Sequence, residues 1–317
     1  MKHYIGFDIG GTKCACVLAD KNGKIISKKR FDTLAARGPE AVITDLISAA
    51  RELMEENGLS SQDIISAGVS CGGPLDSAKG VIMSPPNLPG WDNIPLARII
   101  TESLGVPCKV INDADACALA EWRYGAGRGC ENMIFLTFGT GMGAGLILNG
   151  KLYSGTGGTA GEVGHIRLSD YGPVGYGKAG SFEGFCSGAG IASLARMMLD
   201  ACEGDTPLRS GEITAKSVAE AADGGDEFAK SVYEKCGEML GRGLAVLIDI
   251  LNPQKIVIGS VYARSGHLMK EKMLEVLSRE ALPVNLASCE IVPAALGEET
   301  GDYAAIGAAE EYGENIK

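Results

Sequence analysis

Apolar and polar positions follow two rhythms along this chain. Short apolar runs at residues 4–9, 14–18, 64–69, 108–111, 133–138 and 255–258 predict buried strands. Asn22-Gly23 predicts a hairpin into a further strand at 24–31, and Asn149-Gly150 closes a second hairpin. Between these runs, apolar residues recur at helical spacing. Residues 39–56 carry Val42, Ile43, Leu46, Ile47, Ala50 and Leu53 on one face. Helices are also expected at 96–104, 115–124, about 189–201, 214–222, 227–250 and 304–312. A strand, a glycine turn and a second strand occur twice: once around Gly10-Gly11-Thr12-Lys13, and again where 133–138 meets a turn at Gly139, Gly141, Gly143 and Gly145 before 146–148. The repeat suggests two related sheets in an α/β chain.

The glycine turns bear chemistry. Without Cβ atoms, their backbone N–H groups can approach an anion closely, and Thr140 adds a hydroxyl. Glu162 and His165 follow the second turn. An anion cradle beside hydrogen-bonding groups suits an enzyme that joins a phosphate to a polar small molecule, and a plain glycine-rich hairpin is the alternative. Asp8 ends the first strand, where a carboxylate can hold Mg²⁺ or its water. Asp113 lies between a strand and a helix, at the sheet edge where α/β proteins bind ligands; it could equally cap the helix. The loop 84–91 holds three prolines, the amide of Asn87 and the indole of Trp91. It reads as a sugar-contacting loop or as a rigid connector.

Composition narrows the class. The 317 residues suffice for two domains, and the net charge of −11 without a basic run disfavours nucleic acid as a partner. No apolar run is long enough for a membrane span. The N-terminus runs straight into strand-like sequence, so no leader is expected. The ten cysteines lack zinc spacing and read as reduced core thiols, which implies a cytoplasmic protein.

Taken together, several motifs resemble the ROK family of repressors and sugar kinases, within the actin-like ATPase superfamily. They are Asp8-Ile9-Gly10-Gly11-Thr12-Lys13, Gly72-Gly73-Pro74, Asn87-Leu88-Pro89-Gly90-Trp91, Asn112-Asp113-Ala114, Gly139-Thr140-Gly141-Met142-Gly143, Glu162-Val163-Gly164-His165, Glu183, Ile258-Gly259 and Gly307-Ala308-Ala309. The resemblance implies two actin-like (ribonuclease H-like) α/β domains flanking a cleft that closes on sugar. The first would span 1–113, completed by a terminal helix at 303–317, and the second 114–302. It implies ATP-dependent phosphorylation of a hexose at its 6-hydroxyl, as in glucokinases. N-acetylmannosamine, N-acetylglucosamine or fructose are alternative acceptors, and a non-catalytic sugar-sensing regulator is a further one. Asp113 would be the general base. Gly73, Asn87, Asn112, Glu162, His165 and Glu183 would hold the sugar. Gly10, Gly11, Thr12, Gly139, Thr140 and Gly141 would cradle phosphates. Lys13 would face a phosphate or solvent, the backbone at Gly259 would face adenosine, and Asp8 would help place Mg²⁺. A homodimer is implied as well.

One departure stands out. Most of the family's kinases carry a CxCGxxGCxE zinc motif after the Gly-His pair. Here Val174, Tyr176 and Ser181 occupy the three cysteine positions. We therefore expect no structural zinc, with Val174 and Tyr176 filling space near the ion's place. Cys186 folding back to rebuild a site is the alternative. The family's repressors carry a helix-turn-helix region ahead of the kinase-like part; with the phosphate turn already at Gly10, none is expected here.

Overall fold

In a computed structural model, residues 2–315 are described, and they form two compact units. Unit 1 holds the chain up to Arg128, the short segment Ser154–Gly158, and the chain from Leu296 onward. Unit 2 holds Gly129–Tyr153 and Thr159–Ala295.

Unit 1 is built on a five-stranded sheet in the order Ile25–Asp32, Lys13–Asp20, His3–Ile9, Ile64–Cys71, Cys108–Asn112. The first three strands are antiparallel neighbours and the last three run parallel. Unit 2 repeats the plan with Lys151–Leu152, Met142–Leu148, Met133–Phe138, Lys255–Ile258 and Glu290–Pro293, in the same order and with the same directions. The duplication expected from the two glycine turns is therefore present as two α/β units of actin-like topology. The central strands are buried on both faces, which is why they read as continuous apolar runs. The edge strand Ile25–Asp32 instead alternates half-buried and exposed positions along its length.

Helix Pro39–Glu56 buries Val42, Ile43, Leu46, Ala50 and Leu53 against one face of the unit 1 sheet. The other face is covered by the terminal helix Thr300–Asn315. That contact explains the small residues on both sides: a Cβ on Gly68 would stand 2.2 Å from the backbone nitrogen of Ala309. In unit 2 the long helix Glu227–Leu251 packs on Lys270–Glu280 and fills the core with Tyr233, Leu240, Leu244 and Ile248.

The division of the chain differs from the expected 113/114 boundary. Helix Asp113–Tyr124 belongs with unit 1 because it packs on the terminal helix. Leu119 lies against Gly307, and Arg123 pairs with Glu311 and Glu314. The returning chain likewise joins unit 1 at Leu296, ahead of residue 303. Residues 316 and 317, included in the expected terminal helix, lie outside the described residues. The second glycine turn is also shorter than expected. Only residues 139–141 turn, while Gly143 and Gly145 lie in strand Met142–Leu148, paired with Thr137 and Phe135. Among the described residues, no helix is long and apolar enough to cross a membrane.

Candidate active site

Register brings the unit 1 candidates together. In the parallel part of the sheet Ile9 pairs with Cys71, and Cys71 with Asn112. Three strands thus end level, and the residues that follow them, Gly10, Gly72 and Asp113, emerge at one carboxyl edge. Ligands bind at this edge in open α/β sheets.

The turn after the first strand is short. Gly10 donates its N–H to the carbonyl of Lys13 at 3.0 Å. Thr33, wholly buried, braces it: its hydroxyl donates to the Gly10 carbonyl at 2.6 Å, and its N–H to the Thr12 carbonyl at 2.9 Å. Gly11 is pressed against the loop that holds Asn87; a Cβ there would stand 2.8 Å from both the Asn87 Cβ and its carbonyl oxygen. The phosphate-type turn and the amide of Asn87 are thus brought together. Thr12, Lys13 and Asn87 are all exposed. The companion residue of that loop does something else. Trp91, whose indole enters only the sugar-contacting of the two readings of this loop, is 0% exposed and packs in the unit 1 core. Leu88 and Trp91 anchor the loop, and Asn87 stays exposed.

Asn112 and Asp113 have separate duties. Asn112 is the helix cap, its Oδ1 accepting the Ala114 N–H at 2.9 Å. Asp113 occupies the first helical position, and its Oδ1 accepts the same N–H at 2.8 Å. Asp113 is not required as the cap. Gly73 lies beside the Asn112 amide, a Cβ there standing 3.3 Å from Nδ2, while Gly72 faces the Asp113 carboxylate. Asp113 is reachable by solvent but ringed by protein. That desolvation pushes its pKa up, opposed by the backbone N–H bond from Ala114.

Asp8 is half-buried, and a Cβ on Gly301 would touch its carboxylate. Burial, then the charges of Asp302 and Asp113, push its pKa up to about 6, against the pull of Lys28 and Arg30. Asp302 itself is buried and paired with Lys28 at 2.5 Å. A carboxylate whose pKa is raised by neighbouring acids favours an added cation, so Asp8, with Asp113 near enough to act on it, fits Mg²⁺. Among the described residues no cluster of three or more His, Cys, Asp or Glu has the arrangement of a complete metal site.

Unit 2 supplies a parallel set. Thr137 staples the turn 139–141 by accepting the Gly143 N–H at 2.8 Å. The turn then rests on helix Gly188–Leu199: Gly188 donates its N–H to the Gly139 carbonyl at 2.7 Å, and Ala189 to the Thr140 carbonyl at 3.4 Å. Glu183 reaches into the same turn. Its Oε2 accepts the Met142 N–H at 2.9 Å, and a Cβ on Gly141 would stand 2.7 Å from that oxygen. Gly164 packs on the Cβ of Glu183, so the short helical turn Val163–His165 lies alongside. Glu162 and His165 are exposed and His165 meets the edge of Tyr176 at 6.2 Å between ring centroids. Gly141, Glu162, His165 and Glu183 therefore form one local cluster. Gly259 ends strand Lys255–Ile258 and donates its N–H to the Leu136 carbonyl at 3.0 Å.

The loop at the family's zinc position is held by other means. Ser181, wholly buried, caps helix Phe182–Phe185 by accepting the Gly184 N–H at 3.1 Å. Val174 and Tyr176 do not fill a space vacated by an ion; they are 61% and 86% exposed on a small hairpin. Arg167 fastens that hairpin by donating to the Ala179 carbonyl at 2.8 Å. Cys186 is buried against Cys236, 3.9 Å between sulfurs, and does not turn back to this loop.

A family model described as the ROK family matches residues 4–311. The chain belongs to the ROK family. It is 34% identical to a glucokinase of Halalkalibacterium halodurans over 304 residues, covering 94% of this chain and 92% of that protein. It is 31% identical to an N-acetylmannosamine kinase of Salmonella heidelberg, covering 89% and 91% of the two chains. Its fold matches the crystal structure of a ROK glucokinase from Streptomyces griseus in complex with glucose and AMPPNP, with a TM-score of 0.73 and 30% identity, covering 97% and 98%. Against this ROK frame, sequence reasoning missed three residues. Thr33 and Thr137 brace the two turns from neighbouring strand ends, and nothing in a lone threonine announces that. Ser260 follows Gly259 with φ 54 and ψ −107, a strained backbone beside Gly139. The glycine before it was the only signal.

Proposed function

We propose that this ROK chain transfers the γ-phosphoryl group of ATP to the 6-hydroxyl of a hexose, glucose first among the candidates. That it is an ATP-dependent sugar kinase follows from its family and from near-full-length similarity to sugar kinases. The observation that carries the finer reading is the placement of Asp113. It sits at the level carboxyl edge of three strands, with its pKa raised by burial and its capping duty taken by Asn112.

Phosphoryl transfer asks a protein mainly for alignment and charge neutralisation. Asp113 would accept the proton of the attacking hydroxyl. A raised pKa suits a general base, because proton transfer is most effective when acid and base strengths approach one another. Asn87, the free Nδ2 of Asn112 and the backbone at Gly73 would orient sugar hydroxyls from unit 1. Glu162, His165 and the unshared oxygen of Glu183 would do so from unit 2, with charge-assisted hydrogen bonds that are strong and directional. The N–H groups at Gly11 and Thr12, and those at Thr140 and Gly141, would cradle phosphate oxygens, while Gly10 and Gly139 shape the turns, their own N–H groups donating to the Lys13 and Gly141 carbonyls. Lys13 is exposed and free to face a phosphate, and Gly259 would lie toward adenosine. Asp8 would hold Mg²⁺, which supplies neutralisation of phosphate charge. Glu183 would couple the two functions of unit 2, since its carboxylate already grips the phosphate-type turn.

A panel of glucose, N-acetylmannosamine, N-acetylglucosamine, fructose and allose in a coupled ADP-release assay tests the acceptor. Glucose is expected to give the highest kcat/KM, with 6-phosphorylated sugar as product. An N-acetylated sugar turning over faster would overturn the glucose assignment, and a product phosphorylated elsewhere the 6-hydroxyl. ADP release with none of the panel would favour a sugar-sensing regulator.

We also propose that this kinase works without structural zinc, because Val174, Tyr176 and Ser181 lack thiolates. Protein purified without chelator is expected to hold less than stoichiometric zinc by elemental analysis. It should keep its activity in a strong chelator at saturating Mg²⁺. Stoichiometric zinc that is lost together with activity would reverse this.

A further inference from the structure

The helix that opens at Asp113 also holds the segments by which the chain leaves and re-enters unit 1. The chain passes into unit 2 after Arg128 and returns at Leu296. Glu121, on helix Asp113–Tyr124, is wholly buried. One of its carboxylate oxygens accepts the Ala126 N–H at 2.7 Å, on the outgoing chain. The other accepts the Leu296 N–H at 3.0 Å, on the returning chain. Its own carbonyl takes the N–H groups of Gly125 and Gly127. A Cβ on Gly125 would lie 2.0 Å from Oε2, so the outgoing chain is seated directly on the carboxylate. A second buried acid of the same helix, Asp115, accepts from the Ser154 hydroxyl at 3.3 Å. Ser154 begins the short segment by which the chain revisits unit 1. Three chain crossings are thus tied to one helix through two buried carboxylates.

Burying a carboxylate is costly, and a wholly apolar or amide side chain would fill the same volume more cheaply. What only a carboxylate offers here is two acceptor atoms aimed in different directions. A glutamine has one oxygen, and its NH₂ would point a donor at a backbone donor. We propose that Glu121 is a positioning residue for phosphoryl transfer, locking the outgoing and returning chain to the helix that carries the base. The proposal rests on the reading of Asp113 as that base.

The test is Glu121→Gln in the full chain, with the preferred sugar and ATP. It keeps the shape and removes one of the two acceptors. Small misplacements at a reacting centre are expensive, so kcat is expected to fall about tenfold while both KM values stay within about twofold. Amide hydrogen exchange is expected to quicken at 125–127 or 295–297 and to stay unchanged in strand His3–Ile9. Glu121→Asp, which retains two acceptors on a shorter stem, should recover part of the loss. If kcat stays at the wild-type value, or exchange quickens throughout unit 1, Glu121 is only a packing residue. Should Glu121→Gln fail to fold, Leu296→Pro decides the matter, since Leu296 has φ −77 and proline removes the N–H that Glu121 accepts: the same selective fall in kcat with local exchange at 295–297 supports the lock, and unchanged kcat overturns it. Failure of the base assignment is read separately, from an active Asp113→Asn enzyme, and leaves the exchange result standing.

Discussion

Replacing Asp113 with asparagine is expected to lower kcat by about 10²–10⁴ while leaving sugar affinity close to that of the native enzyme. The substitution is nearly isosteric. Its Oδ1 can still accept the Ala114 N–H, and the cap of the helix is Asn112 in any case. Local structure should therefore survive, and the loss should lie in the chemical step. The pH profile provides a second readout. Desolvation by the surrounding protein raises the Asp113 pKa although solvent still reaches it, so the acid limb of kcat/KM in the native enzyme should lie above the ordinary aspartate range, where loss of activity reports protonation of the base. The variant should lose that limb along with its rate. Calorimetric titration with the sugar and steady-state kinetics from pH 5 to 9 check both. A variant keeping more than half of the native activity, with the native pH profile, would mean that Asp113 serves only the helix.

Asp8→Asn is expected to stabilise the protein while it disables it. The Asp8 pKa is pushed up to about 6 from the ordinary aspartate value, by burial first and then by Asp302 and Asp113. A carboxylate with a raised folded-state pKa favours the folded state in its protonated form. That advantage is present below the unfolded value and is lost as pH rises through about 6. At pH 7.5 the charge is in place and costs the ligand-free protein on the order of 2–3 kcal/mol. Asparagine imitates the neutral form, so thermal unfolding of the ligand-free variant should move up by a few degrees at pH 7.5 and by less at pH 5. The carboxylate that would hold Mg²⁺ is gone, and kcat/KM should drop about a hundredfold, since charge stabilisation of the transferring group is a large part of such catalysis. Calorimetry at the two pH values, with kinetics at varied Mg²⁺, tests this. A lower Tm at pH 7.5 would show that Asp8 is held by favourable bonds rather than by need of a cation.

Both substitutions strike residues whose location was legible from their neighbours in the chain. Strand runs and glycine turns are local features. An apolar run buried on both faces needs no partner to be recognised, and Gly10 and Gly139 mark turns because few other residues allow them. The duplicated strand-turn-strand pattern therefore foretold two related sheets, and Asp8 and Asp113 were found because each lies at the carboxyl end of a strand. The helix of Pro39–Glu56 was equally plain from its periodicity. The strand Glu290–Pro293 was not: it is four residues long with none buried, and it takes its form from pairing with Lys255–Ile258.

Tertiary structure alone decided the rest, because it depends on what lies across the fold rather than along the chain. Trp91 looked like a sugar-binding ring, and only packing shows it enclosed in the core. Glycine at Gly11 and Gly141 reads as turn propensity, yet each position is also crowded by a side chain distant in sequence, Asn87 in one case and Glu183 in the other. Glu183 was placed by motif, but its grip on the Met142 N–H belongs to the third dimension. The unit boundary moved from 113 to 128 because helix Asp113–Tyr124 finds its partner in the terminal helix, far along the chain. The same long-range pairing turns Glu121, an ordinary acid on a helical repeat, into the residue that holds both Ala126 and Leu296. Local pattern determines which segments become strands, turns and helices. Which buried carboxylate meets which distant N–H is settled only when those elements pack and every buried polar group must find a partner.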